Sequence, residues 1–392
     1  MPHAKVDFSN TEIAFHLKSD AALDRAYFLF KMIANEPLVR IGTAATNFAL
    51  KTHLPVEGLI RATVFDHFCG GVSENDCMAV VENMFDKGVS SVLDFSIEGK
   101  EDEKEFDAAM NKTCELVEFA YQQEAMPIAV FKPTGLASFA LLEKISNNSN
   151  LTKEEEIEKT IFEGRIENIC QTASDNKVPL FIDAEESWIQ DAIDDIAIKM
   201  MQKFNKNEAW IYNTLQLYRN DRVDHLEMLL KLATEKKFFV GLKLVRGAYH
   251  EQEIERAKEK GYNCPVHTIK ENTDIDYNKA LTICIENIDF VSVCAGTHNE
   301  ESSALLVELL NKHNISKDDK RVYFSQLLGM SDHISYNAAK EGFNVVKYVP
   351  YGPVKDVLPY LIRRAEENTS IAGQMGRELT NIIEEKKRRR NA

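Results

Sequence analysis

Residues Phe238 to Val245 read FFVGLKLV, an apolar run broken by one lysine and too short for a buried helix. A strand that is apolar on both faces belongs to a parallel sheet covered by helices. Seven further runs of the same kind lie outward from it: Ser90 to Asp94, Ile128 to Phe131, Val178 to Ile182, Trp210 to Thr214, Phe290 to Ala295, Arg321 to Phe324 and Asn344 to Val349. Amphipathic helical patterns fill the gaps, at Phe106 to Gln123, Ile157 to Asn176, Asp221 to Lys237, Tyr277 to Glu286 and Ser302 to Asn314. Eight strand-helix units predict an α/β fold, a (β/α)8 TIM-like barrel. An open doubly wound sheet would carry G-x-G-x-x-G at its first turn, and none of the 17 glycines falls in that spacing.

The barrel is expected over residues 89–375, after a helical N-terminal cap over 1–88 that includes Asp20 to Ile33 and Cys77 to Lys87. Ser146 to Glu156 reads as a surface loop running into a capped, acidic helix start. Residues 376–392 form a helical, basic tail whose KKRRR end, Lys386 to Arg390, reads as solvated, with a weak electrostatic membrane contact as the lesser reading. The 47 basic residues against 62 acidic ones give a net charge of −15, a field that repels nucleic acid. Seven cysteines without C-x-x-C spacing read as reduced thiols of an intracellular, cytoplasmic protein. The stretch from Met1 to Asp7 lacks a signal peptide's apolar run, and no window suggests a membrane span. No metal is expected.

Chemistry in such barrels sits at the C-terminal ends of the strands, and each of the eight ends is polar here. The first run ends in Asp94 with Glu98 beyond it, the second in Lys132, the third in Asp183-Ala184-Glu185-Glu186 and the fourth in Gln216. Lys243 lies inside the fifth run and Arg246 at its end, the sixth leads into Gly296-Thr297-His298-Asn299, the seventh into Gln326 and the eighth into Tyr351. Taken singly these residues have bland readings: an Asp94–Lys132 ion pair, a turn-capping His298, an acidic helix start at Asp183 to Glu186. Lys243 is harder to dismiss, because a buried ammonium needs a partner or a ligand. In the last helical segment Tyr360, Arg363, Arg364 and Glu367 fall within one turn, and paired guanidiniums suit a clamp on a carboxylate or phosphate, unless they merely form a charged outer face.

Six motifs in order, FIDAEES (181–187), TLQLY (214–218), GLKLVRGAY (241–249), GTHNEES (296–302), FSQLLGMSD (324–332) and KYVPYGPVKDVLPYLIRRAEEN (347–368), closely resemble the proline dehydrogenase family, in its stand-alone, mitochondrial-type branch. The resemblance covers about residues 90 to 370. It implies a distorted barrel that binds FAD without covalent attachment and oxidises L-proline to Δ1-pyrroline-5-carboxylate. It further implies hydride transfer to flavin N5, reoxidation by a membrane quinone, peripheral docking at the inner face of the membrane, and a pyrroline-5-carboxylate dehydrogenase as partner in breaking proline down to glutamate.

The same resemblance assigns roles. Arg363 and Arg364 would clamp the proline carboxylate with Lys132 as a third cation; Tyr351, Tyr360 and Leu328 would wall the ring; Asp94 would hold Lys132, and Glu98 would gate the site against an arginine. Asp183, Ala184, Gln216, Lys243, Val245, Arg246, Gly247, Ala248 and Tyr249 would surround the isoalloxazine and ribityl chain. Thr268, Lys270 and Thr273 would hold the pyrophosphate and adenosine, and Thr297, His298, Asn299, Gln326, Arg364 and Glu367 would complete the cofactor shell. Many bacterial members have Arg and Lys where this chain has Lys243 and Arg246, so a cation survives at both positions.

Oxidising a C–N bond needs a two-electron acceptor that no side chain supplies, which agrees with a flavin. The reactive amine must be unprotonated, so the rate is expected to rise with pH. A hydroxyproline dehydrogenase of the same fold is the nearest alternative, disfavoured by the bulk of Tyr351. A Schiff-base aldolase using Lys132 or Lys243 would leave Arg363 and Arg364 without a role, and a catalytically silent barrel would not be expected to keep the full set of polar strand ends.

Overall fold

A computed structural model describes residues 5–35, 37, 39, 42, 58, 61–95, 102–358, 360–362 and 372–391. All eight apolar runs form strands: β1 (Val89–Phe95), β2 (Ala129–Phe131), β3 (Leu180–Ile182), β4 (Ile211–Gln216), β5 (Val240–Val245), β6 (Val291–Gly296), β7 (Val322–Leu327) and β8 (Val345–Tyr351). They make one sheet in the order β1-β8-β7-β6-β5-β4-β3-β2, the cyclic order of a (β/α)8 barrel with β1 and β2 at its ends. The pairings of β1 with β8 and of β2 through β6 with their successive neighbours are parallel. Both faces of β4 and β8 are buried throughout, as their apolar runs require.

The chain divides into two compact units, one of residues 98–297 and 301–324 and the other of residues 1–97, 298–300 and 325–392. In the first unit β2 to β6 alternate with helices. The expected loop before the acidic helix ends at Thr152, whose hydroxyl accepts from Glu155 N at 3.2 Å while the Glu155 carboxylate accepts from Thr152 N at 2.9 Å, so the helix Lys153–Asn176 starts on a capping box. Gly247, just past β5, has φ +139°, and a Cβ there would lie 2.5 Å from the Tyr218 ring, so only glycine lets the chain turn at this strand end.

The second unit holds β1, β8 and its own core, in which Phe30, Phe65, Phe68, Val357, Tyr360 and Ile382 are buried together. The core gathers residues of the expected N-terminal cap and of the last helix, Ala372–Asn391. Lys347 of β8 is fully buried, with its ammonium 2.8 Å from Asp332 and donating to Met330 O at 2.7 Å. Burial pushes the Lys347 pKa down, and Asp332 opposes that shift.

The KKRRR segment is solvated only in part. It is the last turns of the helix Ala372–Asn391, where Lys386, Arg388 and Arg389 meet acids of the same unit while Lys387 and Arg390 are exposed. Lys386 lies 2.5 Å from Asp24, and Arg389 lies 2.7 Å from Glu385 and 2.9 Å from Asp20 while donating to the carbonyls of Lys18 and Phe15. Glu385, fully buried, also accepts from Arg388 and from Thr11 Oγ1 at 3.0 Å. A charge run reads as solvated only while the acids that will meet it are far away in sequence.

Candidate active site

In the first unit the polar strand ends converge on one carboxylate. Asp183, one residue beyond β3, is 8% exposed; its Oδ2 lies 3.1 Å from Lys132 Nζ, and its Oδ1 meets Lys243 Nζ. Burial pushes the Asp183 pKa up, but the ammoniums of Lys243 and Lys132 outweigh it and hold the carboxyl below its usual range. Asp183, just beyond the neighbouring strand β3, is an acid set against Lys132.

Around this centre the ends of β2 to β6 are cross-linked. Gln216 donates to Glu185 O at 2.6 Å and accepts from Ala248 N at 3.1 Å, fixing β4 to the turns after β3 and β5. Glu185 accepts from Thr134 Oγ1 at 2.8 Å and from Tyr249 OH at 2.9 Å. Burial raises its pKa to about 7 against the opposing field of Lys132, with Glu186 adding to the rise. Sequence reasoning gave Glu185 no role, although it stands in the FIDAEES motif; three acids within four residues read as the acidic start of a helix. Ala184 and Val245 lie half-buried at their strand ends.

Arg246 stacks 4.5 Å over the Tyr277 ring and donates to Asp274 and Thr297, both at 2.6 Å, and to Ser302 at 3.0 Å. Lys270 shares Asp274 at 2.6 Å, so the start of the helix Lys270–Glu286 is tied to the end of β5. Thr268 is exposed there and Thr273 buried.

The second unit holds the other described candidates. Asp94 is buried on β1, in register with Pro350 of β8. Tyr351 is buried, donates to Glu74 at 2.8 Å and stacks at 5.2 Å on Phe95; burial first, then Glu74, pushes its phenol up. Leu328 is half-buried, with its N–H on Tyr348 O at 2.8 Å, and Tyr360 packs in the core. Gln326 accepts from Ser335 Oγ at 2.8 Å, His298 Nδ1 lies 3.0 Å from Ser331 Oγ, and Asn299 is half-buried. Glu98, Arg363, Arg364 and Glu367 lie outside the described residues.

Residues 77–377 match the family model described as proline dehydrogenase. The chain is 34% identical over 341 residues to the carbapenem antibiotics biosynthesis protein CarD of Pectobacterium carotovorum subsp. carotovorum, covering 86% of this chain and 88% of that protein. It is 31% identical over 416 residues to the mitochondrial proline dehydrogenase 1 of Arabidopsis thaliana, covering 93% of this chain and 83% of that one. Among solved structures, proline utilization A (PutA) from Bdellovibrio bacteriovorus, inactivated by N-propargylglycine, matches in fold with a TM-score of 0.71 at 21% identity, over 93% of this chain and 37% of that chain. Together with the polar strand ends brought to one carboxylate, the match places this chain in the proline dehydrogenase family of oxidoreductases.

Proposed function

We propose that the chain is an FAD-dependent proline dehydrogenase that oxidises L-proline to Δ1-pyrroline-5-carboxylate, with a membrane quinone as final acceptor. The product is then open to a separate pyrroline-5-carboxylate dehydrogenase on the way to glutamate. The names of the relatives favour proline over the 4-hydroxylated ring as substrate. The observation that carries the reading is the Lys132–Asp183–Lys243 cluster, which gathers two ammonium groups at the strand ends on the buried Asp183 carboxylate.

The residues fit the cofactor. A flavin becomes electron-rich on reduction, and the donor set here, with Lys243 and Arg246 at β5 and the Gln216 amide at β4, is one that stabilises added negative charge. Lys243, Gln216, Arg246 and Thr297 would hold the group, and the resemblance assigns His298, Asn299 and Gln326 to its shell as well. FAD, when bound, supplies the two-electron acceptor that the oxidation needs.

The chain's own residues bind and orient. Lys132 attracts the proline carboxylate, and Asp183 fixes that ammonium in place. Arg363 and Arg364 would complete the clamp and Glu98 the gate, with Tyr351, Tyr360 and Leu328 against the ring. The amine must reach the site unprotonated so that its lone pair can form the C=N bond as the hydrogen and its bonding pair leave C5. Both lysines are already held by Asp183, unlike the free amine that a Schiff base requires.

We further propose that residues 89–375 are the catalytic barrel, with 1–88 and 376–392 supporting it. A visible spectrum of the purified protein, recorded anaerobically before and after L-proline, tests the function. A flavin band bleached by proline is expected. A protein that stays colourless after incubation with FAD would overturn the reading, and bleaching by 4-hydroxyproline alone would move the substrate to the hydroxylated ring.

A further inference from the structure

We propose that Glu378, on the helix Ala372–Asn391 and just beyond the matched family region, is a positioning residue that sets His298 and Gln326 by holding Ser331. The inference rests on the reading that these two side chains belong to the FAD shell. Glu378 is 2% exposed, and its Oε1 accepts from Ser331 N at 2.6 Å. Ser331 in turn places its Oγ 3.0 Å from His298 Nδ1. Its carbonyl accepts from Ser335 N at 3.1 Å, and the Ser335 hydroxyl donates to Gln326 at 2.8 Å. One carboxylate therefore supports two branches, each ending on a residue of the motifs GTHNEES and FSQLLGMSD.

Ser331 has φ +50°, a left-handed backbone that non-glycine residues seldom take without something to hold it. The bond from Glu378 fixes its N–H in that conformation. The neighbouring Arg377 grips the first branch a second time, lying 3.0 Å from Glu300, two residues after His298. Burial pushes the Glu378 carboxyl above its usual range, with His333 opposing, but the bond does not depend on charge. A neutral carboxyl or a carboxamide oxygen accepts from the same N–H.

The test uses the full chain, with FAD affinity measured by titrating flavin-stripped protein and kcat and KM measured with L-proline. Glu378→Ala is expected to weaken FAD binding about tenfold and to lower kcat more than KM, as one lost positioning bond would. Glu378→Gln should restore affinity to within about threefold, because its oxygen still accepts. Ser331→Gly relieves the left-handed backbone while removing the hydroxymethyl group, so it should fold and melt close to wild type yet bind FAD several-fold more weakly, which keeps the test decisive if Glu378→Ala does not fold. Wild-type affinity in Ser331→Gly, or in Glu378→Ala, overturns the proposal. Wild-type protein that binds no FAD overturns instead the functional reading beneath it.

Discussion

Glu185 lies 3% exposed between Thr134 and Tyr249, and its pKa rises from 4.5 to about 7. The unfolded chain releases this proton near 4.5 and the folded one near 7, so between those values the native state binds more protons and stability falls as pH rises. The loss is on the order of 3 kcal/mol by pH 8. Glu185→Gln should therefore gain in melting temperature relative to wild type between about pH 5 and pH 8; a difference that stays constant would show that this carboxyl does not titrate there. Asp183 behaves in the opposite sense, because its depressed pKa makes its contribution present above the ordinary Asp value and lost as pH falls below it. Asp183→Asn would strand two buried ammoniums and should cost about 3–5 kcal/mol in urea denaturation near neutral pH, a cost that shrinks as wild type itself is protonated. Asp183 and Lys243 were legible because charged residues at the ends of apolar runs stand out. Glu185 and Glu378 were not, because their burial comes from packing that residue type does not encode.

At the scale of elements, the strands were legible because apolarity on both faces is a strong local signal. Several helices were not. Ser187–Phe204 buries Gln190 and Asp194 together with its apolar residues, and Asp194 pairs with Arg222 at 2.6 Å, so the helix lacks a clean apolar stripe. Asp332–Lys340 hides its inward face still better, since Asp332, His333, Ser335 and Asn337 are all buried. The last helix was visible as a helix, but its role was not. Glu385 accepts from Thr11, Arg388 and Arg389, and those bonds hold its pKa down to about 2 against the opposing effect of its burial. Its contribution is therefore complete above about pH 4.5 and lost as pH falls through 2. Glu385→Ala should cost about 3 kcal/mol at pH 7, and the gap to wild type in chemical denaturation should close on acidification. An unchanged midpoint at pH 7 would mean that the helix is held by its apolar face alone.

For the whole molecule, the net charge of −15 is spread over a fold that also holds buried ion pairs such as Lys243–Asp183 and Lys347–Asp332. Salt screens exposed repulsion more than it screens buried pairs, so the melting temperature should rise by a few degrees between about 0.02 and 0.3 M sodium chloride; a fall would show that surface attractions dominate. The described part of the chain has no helix long and apolar enough to cross a membrane. The unit that contains β1 and β8 is made from the two ends of the sequence, with Thr11, Phe15 and Asp20 bonded to Glu385 and Arg389. During synthesis the unit of residues 98–297 and 301–324 leaves the ribosome whole, while residues 10 to 33 must wait some 350 positions for their partners. Phe30, Leu23 and the rest of that early apolar face stay uncovered through nearly the whole of translation, which makes the newborn chain a client for whatever shields nascent helices in the cell.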